Sequence, residues 1–176
     1  MTNLKKTLVL MMFFSLASSW TILAVGQEPS ETIDWKKLAD YFIDISGWEK
    51  NGEAQGGNMS MDVTVGKATQ EYKSGKRSLV IEITDSAKSM IFLMPIKMQM
   101  MNNIKTSQEY AEKIKFSDFP GMKIYDYPKK TAGLIILILD RFVVQMYGDN
   151  FAEEDVSELV ETAKKLDLEG IAKLGK

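Results

Sequence analysis

The chain has 176 residues, 45% of them hydrophobic and 26% charged, with a formal net charge of −2 and neither cysteine nor histidine. That length and balance suit one globular domain with a single sizeable core. The two missing residue types exclude disulfides, thiol nucleophiles, c-type haem attachment, a lipidated cysteine, Ser-His-Asp triads and zinc sites of the usual ligand set.

Residues 1–26 read as a secretory signal peptide. Lys5 and Lys6 form the basic start, an apolar run extends from Leu8 to Val25, and Ala24 and Gly26 are the small residues before a cleavage point at Gln27. Ala17 and Ser19 offer a second cleavage point, and a retained run is near the length that spans a bilayer. The expected location is therefore the periplasm or the extracellular space, with a membrane involved only if the leader stays as an anchor. Removing the leader takes the formal charge to −4, a mild acidity with no footprint for nucleic acid or anionic lipid.

Residues 27–33 are a polar linker with Pro29, and 34–176 form the domain. Trp35, Leu38, Ala39 and Phe42 fall on one face of a helix expected from Asp34 to Ile43, stopped by Ser46-Gly47. The Gly-rich stretch Glu49 to Asn58 reads as a loop. Met59, Met61, Val63 and Val65 alternate with polar residues in a strand running on to Tyr72. A turn at Lys73-Ser74-Gly75-Lys76 returns it through Leu79, Ile81 and Ile83.

Met90 to Met101 is apolar in a mixed way around Pro95 and reads as a helical piece, joined near Asn102-Asn103 to a second helix from Gln108 to Ile114 capped by Thr106 or Ser107. After a turn at Phe119-Pro120-Gly121, the segments Met122 to Tyr127, Ala132 to Leu139 and Phe142 to Tyr147 form a meander. Its middle strand is apolar on both faces and therefore central. Glu153, Glu154 and Asp155 load the start of a last helix whose Val156, Leu159, Val160 and Ala163 share a face. The order α-ββ-α-βββ-α predicts an α+β domain, an antiparallel sheet of about five strands with helices packed against it.

The fragments Tyr41-Phe42-Ile43-Asp44-Ile45-Ser46-Gly47-Trp48 and Phe119-Pro120-Gly121-Met122-Lys123-Ile124-Tyr125, with the closing strands and helix, resemble the PsbP/Mog1/DcrB-like domains. In those an early strand leads into a tryptophan, and a glycine-led strand opens a meander that ends in a C-terminal helix. The likeness spans about two thirds of the domain, and the helix expected before Trp48 departs from it. The chain is also similar in type to small exported bacterial proteins with no assigned activity, which adds no site. The resemblance implies a binding or assembly accessory with no catalytic residue to carry over.

Among local features the methionine cluster stands out. Met90, Met94, Met98 and Met101 are spaced for one helical face, with Met100 beside them and Met59 and Met61 on the first strand. Such thioethers fill irregular gaps in a core, line an adaptable groove for a protein partner or apolar ligand, or hold Cu(I) where several converge. Asp126, Asp140, Asp149, Glu153, Glu154 and Asp155 are the candidate carboxylates for a cation or an acid/base pair. Their spacing does not match an EF-hand loop, and three acids at a helix start serve as capping charges. Asp140-Arg141 reads as a turn with a salt-bridged pair or a reader of an anionic ligand, and Trp35, Trp48, Tyr125 and Tyr127 as core anchors or stacking residues for a sugar or peptide. The expected function is an exported, non-catalytic domain that binds an envelope protein or an apolar ligand through Met90, Met94, Met98 and Met101, with no cofactor. A periplasmic Cu(I) protein using the same thioethers and an enzyme using carboxylates alone are the alternatives.

Overall fold

The computed structural model describes residues 31–60 and 64–176; the leader, the first part of the linker, Met61 and Val63 lie outside them. A short helix α1 (Trp35–Ala39) comes first, followed by strands β1 (Glu49–Lys50), β2 (Gln55–Ser60), β3 (Thr64–Ser74) and β4 (Arg77–Asp85). Helix α2 (Met90–Gln99) then leads to β5 (Ile104–Lys105), β6 (Glu109–Phe116), β7 (Phe119–Asp126), β8 (Thr131–Ile138) and β9 (Phe142–Asp149). A 3-10 turn (Glu153–Asp155), α3 (Val156–Lys165) and α4 (Leu168–Lys173) complete the chain. The fold is α+β around one antiparallel sheet ordered β1-β3-β4-β9-β8-β7-β6-β5, with β2 sharing the outer edge of β3.

Two meanders, β1 to β4 and β5 to β9, meet where β4 pairs with β9 from Ser78↔Asp149 to Asp85↔Phe142. Alternation along each strand then divides the molecule into three layers. One face carries Leu79, Ile81 and Ile83 of β4, Leu134 and Ile136 of β8, and Val144 and Met146 of β9. It packs against Leu38 of α1, Leu159 and Ala163 of α3 and Ile171 of α4. On the other face Ile135, Leu137 and Val143 meet Leu93 of α2 in a smaller cluster. Strand β8 is buried from Ala132 to Ile138 and central, as its apolar run implied.

The sheet has nine strands where about five were expected from alternation. Most of the excess is short or exposed. The stretch expected as a loop holds β1 and β2, whose Gln55-Gly56-Gly57-Asn58 run has no hydrophobic period and is a strand because β3 supplies its hydrogen bonds. Glycine is required there: a Cβ on Gly56 would lie 2.6 Å from the Trp35 ring and 2.3 Å from the Lys67 carbonyl. The strand expected from Met59 to Tyr72 is the end of β2 together with most of β3.

The second helix, expected from Gln108 to Ile114, is strand β6, paired from Glu109↔Asp126 to Phe116↔Phe119. Thr106 does cap, but it caps a turn: its hydroxyl accepts from the amides of Gln108 and Glu109 at 3.1 and 3.0 Å. The turn expected at Phe119-Pro120-Gly121 sits two residues earlier, at Ser117-Asp118, and Phe119 already belongs to β7. Helix α1 stops at Ala39 instead of Ile43, and the segment before Trp48 is irregular. A tertiary bond competes there, since the Tyr72 hydroxyl donates to the Ile43 carbonyl at 2.8 Å. Helix α4 had no expected counterpart, and it starts where Asp167 accepts from the Gly170 amide at 2.7 Å.

Tyr72 also sets an alkaline limit on the fold. Burial, with a smaller contribution from Asp44, raises its pKa to about 12. A phenol whose folded pKa lies above its unfolded value of about 10 adds stability that is complete below pH 10 and is lost as pH rises through 12. Stability measured by chemical denaturation is expected to fall across that window, and to fall less steeply in Tyr72→Phe. Equal slopes in the two proteins would remove Tyr72 as the cause.

Candidate functional site

Helix α2 links β4, near the middle of the sheet, to the edge strand β5, so it runs across the strands in between. Its ten residues make it about 15 Å long, roughly three inter-strand spacings. Leu93 is fully buried, and Phe92, Ile96 and Met100 pack partly against the same cluster. The outward side is also largely apolar, with Gln99 its one exposed polar residue: Met90 and Met94 are each 52% exposed, Ile91 72% and Met98 64%, with Met101 just beyond the helix at 63%. A helix that is apolar on both sides belongs inside a large core or against another apolar phase, yet among the described residues this one has the sheet on one side only.

Neighbouring elements extend the patch. Ile104 of β5 stands opposite Ala111 on the α2 side of the sheet and is exposed. Leu139, in the β8–β9 turn, is half exposed and has φ +53°, a conformation unfavourable for a branched side chain. An ion pair between Asp140 and Lys97, 2.9 Å, holds that turn to α2. Beneath the C-terminal half of α2 lies a cleft of about 480 Å³ with an apolar floor of Met100, Pro120 and Leu137 and three lysines, Lys97, Lys113 and Lys115, on its walls.

The four methionines singled out in the sequence are thus together on the surface, not in the core. As a Cu(I) site they are poorly arranged. Met90 and Met98 are separated by about 12 Å along the helix axis, so the set cannot surround one ion.

Most of the candidate carboxylates have partners of their own. Asp126 accepts from Lys129 at 2.7 Å, and this hydrogen bond lowers its pKa. Glu153 accepts from the Tyr127 hydroxyl at 2.9 Å, which raises the tyrosine's pKa. Asp155 caps the amide of Ala152 at 3.0 Å, and Asp149 lies 3.3 Å from Ser78. A second cleft, about 620 Å³, opens between the β5–β6 edge and α3, with Tyr110, Lys123, Glu153 and Glu161 on its walls. The Tyr110 pKa is raised there to about 12, by burial first and then by Glu153. Among the described residues no group of three or more carboxylates is placed to hold a metal ion.

The aromatic candidates are anchors. Trp48 stacks on Phe151 with ring centroids 5.7 Å apart and donates to Glu158 at 2.7 Å; the Arg77 guanidinium covers the ring at 4.9 Å and pairs with the same glutamate. Tyr125 donates to the Phe151 carbonyl.

Arg141 does not pair with its neighbour Asp140. It forms a two-pronged ion pair with the fully buried Asp85, at 2.9 and 2.8 Å, and donates to the Glu31 carbonyl at 2.9 Å. Asp85 in turn accepts from the amides of Ile33 and Ala87. The sequence carries no local sign of this knot, because Asp85 and Arg141 are brought together by the β4–β9 pairing. Comparison of the chain with family models, with curated proteins and with solved structures returns no match.

Proposed function

We propose that this chain is a non-catalytic binding domain, acting outside the cytoplasm, which docks an apolar surface onto the outer face of α2. The observation that carries this is the exposure of Met90, Ile91, Met94, Met98 and Met101 on an element whose inner side is already anchored by Leu93. A contiguous exposed apolar patch is uncommon on a monomer and marks a site of contact. Methionine suits that role, because an unbranched thioether adapts to an irregular or fluid partner.

A neutral environment-sensitive dye such as Nile red provides the test. The protein is expected to bind it, and Met94→Glu together with Met98→Glu to weaken binding by about tenfold without lowering the melting temperature, since neither side chain is part of the core. Unchanged dye binding in the double variant would end the proposal.

A further inference from the structure

From the distribution of charge we infer that the surface docked by α2 is an anionic lipid bilayer, an inference that rests on the docking face proposed above. The net charge of −2 averages over a marked asymmetry. From Ser86 to Gln108, the segment containing α2, there are three lysines and no acid. On the opposite layer, from Glu153 to Glu169, there are seven acids and two lysines.

These two segments lie on opposite faces of one sheet, so the molecule has a locally basic apolar patch at α2 and an acidic layer opposite it. Lys88, Lys97, Lys113 and Lys115 surround the exposed methionines or line the cleft below them. Around α2 and its cleft the carboxylates are Asp140, already engaged with Lys97, and Asp118 in the β6–β7 turn; strand register puts Glu49, Glu71, Glu82, Glu109, Asp126 and Asp149 elsewhere on the same sheet face, with Glu82 paired to Lys67 and Asp126 to Lys129. Near a negatively charged plane such a molecule turns its α2 side inward. Methionine and isoleucine then enter the headgroup boundary while the lysines meet phosphate, the combination used by helices that lie in a membrane interface.

One further observation favours a bilayer over a second copy of the chain. An isologous dimer through α2 would bring the same lysines against one another, at an electrostatic cost a lipid surface does not impose.

The absence of cysteine makes the test specific, because Met98→Cys in the full chain accepts a single environment-sensitive fluorophore. A second labelled protein, Glu169→Cys, reports from the exposed surface of α4. With vesicles of phosphatidylcholine and phosphatidylglycerol the probe at 98 is expected to shift to the blue at about tenfold less lipid than with phosphatidylcholine alone, and the shift to reverse in high salt. The probe at 169 is expected to remain unshifted, even if the leader brings the protein to the vesicle. Lys113→Glu with Lys115→Glu should abolish the preference for phosphatidylglycerol.

A silent probe at 98, equal shifts at 98 and 169, equal response to the two lipids, or a charge variant that behaves as the parent would each overturn the inference. So would a shift that grows with protein concentration without lipid, which would assign the face to a second copy. Nile red binding with a silent probe would leave the docking face standing and remove the bilayer, whereas failure of both would remove both.

Discussion

Arg141→Met is expected to destabilise the protein by about 3–5 kcal/mol, read as a lower midpoint in urea unfolding. The mechanism is the stranding of Asp85. Its carboxylate is fully buried and keeps the amides of Ile33 and Ala87 after the change, but loses the guanidinium that balances its charge. A loss below about 1 kcal/mol would show that water replaces the arginine, as at an exposed pair. Replacing both partners, Asp85→Leu with Arg141→Met, is not expected to restore full stability. The amides of Ile33 and Ala87 would then lack their acceptor, and an unsatisfied buried donor costs about 1–3 kcal/mol.

Leu93→Ala is expected to cost about 2–5 kcal/mol, the range for emptying a well-packed site. Its location decides how the loss is distributed. Leu93 is the fully buried residue of α2, set against Ile135, Leu137 and Val143, whereas the larger core lies across the sheet. Hydrogen exchange should therefore accelerate most in the α2 amides and little in β8 and β9, because the helix detaches before the sheet opens. Unchanged protection of α2 would mean that Phe92, Ile96 and Met100 suffice to hold it. The same variant should blur the response of a probe at position 98, since a detached helix no longer presents its outer face in one orientation.

Much of the architecture was legible where one hydrophobic period dominates. Leu79, Ile81 and Ile83 alternate cleanly and lie in β4, the unbroken run of β8 is central, and the acids before Val156 do open the last long helix of the chain. Segments whose structure is imposed from outside were not legible. Strand β2 is exposed and glycine-rich and takes its conformation from β3, while β6 contains Tyr110 and Ile114 at a spacing that a helix could use equally well.

The candidate site was half legible for a related reason. Met90, Met94, Met98 and Met101 were visible as an unusual cluster, but a helix apolar on both sides gives no sign of which side is covered. That depends on what lies against it in space, and among the described residues only the sheet does. Arg141 illustrates the converse. Its sequence neighbour Asp140 offered an obvious partner, yet the pairing of Asp85 with Phe142 brings a carboxylate from 56 residues away to the guanidinium.

The junction of the two meanders also governs the order in which the fold can be assembled. Hairpins β3–β4, β6–β7, β7–β8 and β8–β9 are local and can form early, but pairing of β4 with β9 closes a loop of nearly sixty residues. High contact order at a single seam makes that step the slow one. Because a chain is made from its N-terminus, β4 exists with one open edge until β9 has been completed, and Leu79, Ile81 and Ile83 remain uncovered meanwhile. The nascent protein therefore passes through an interval in which that edge is open to pairing with other chains, and a chaperone that shields it would raise the yield of folded protein.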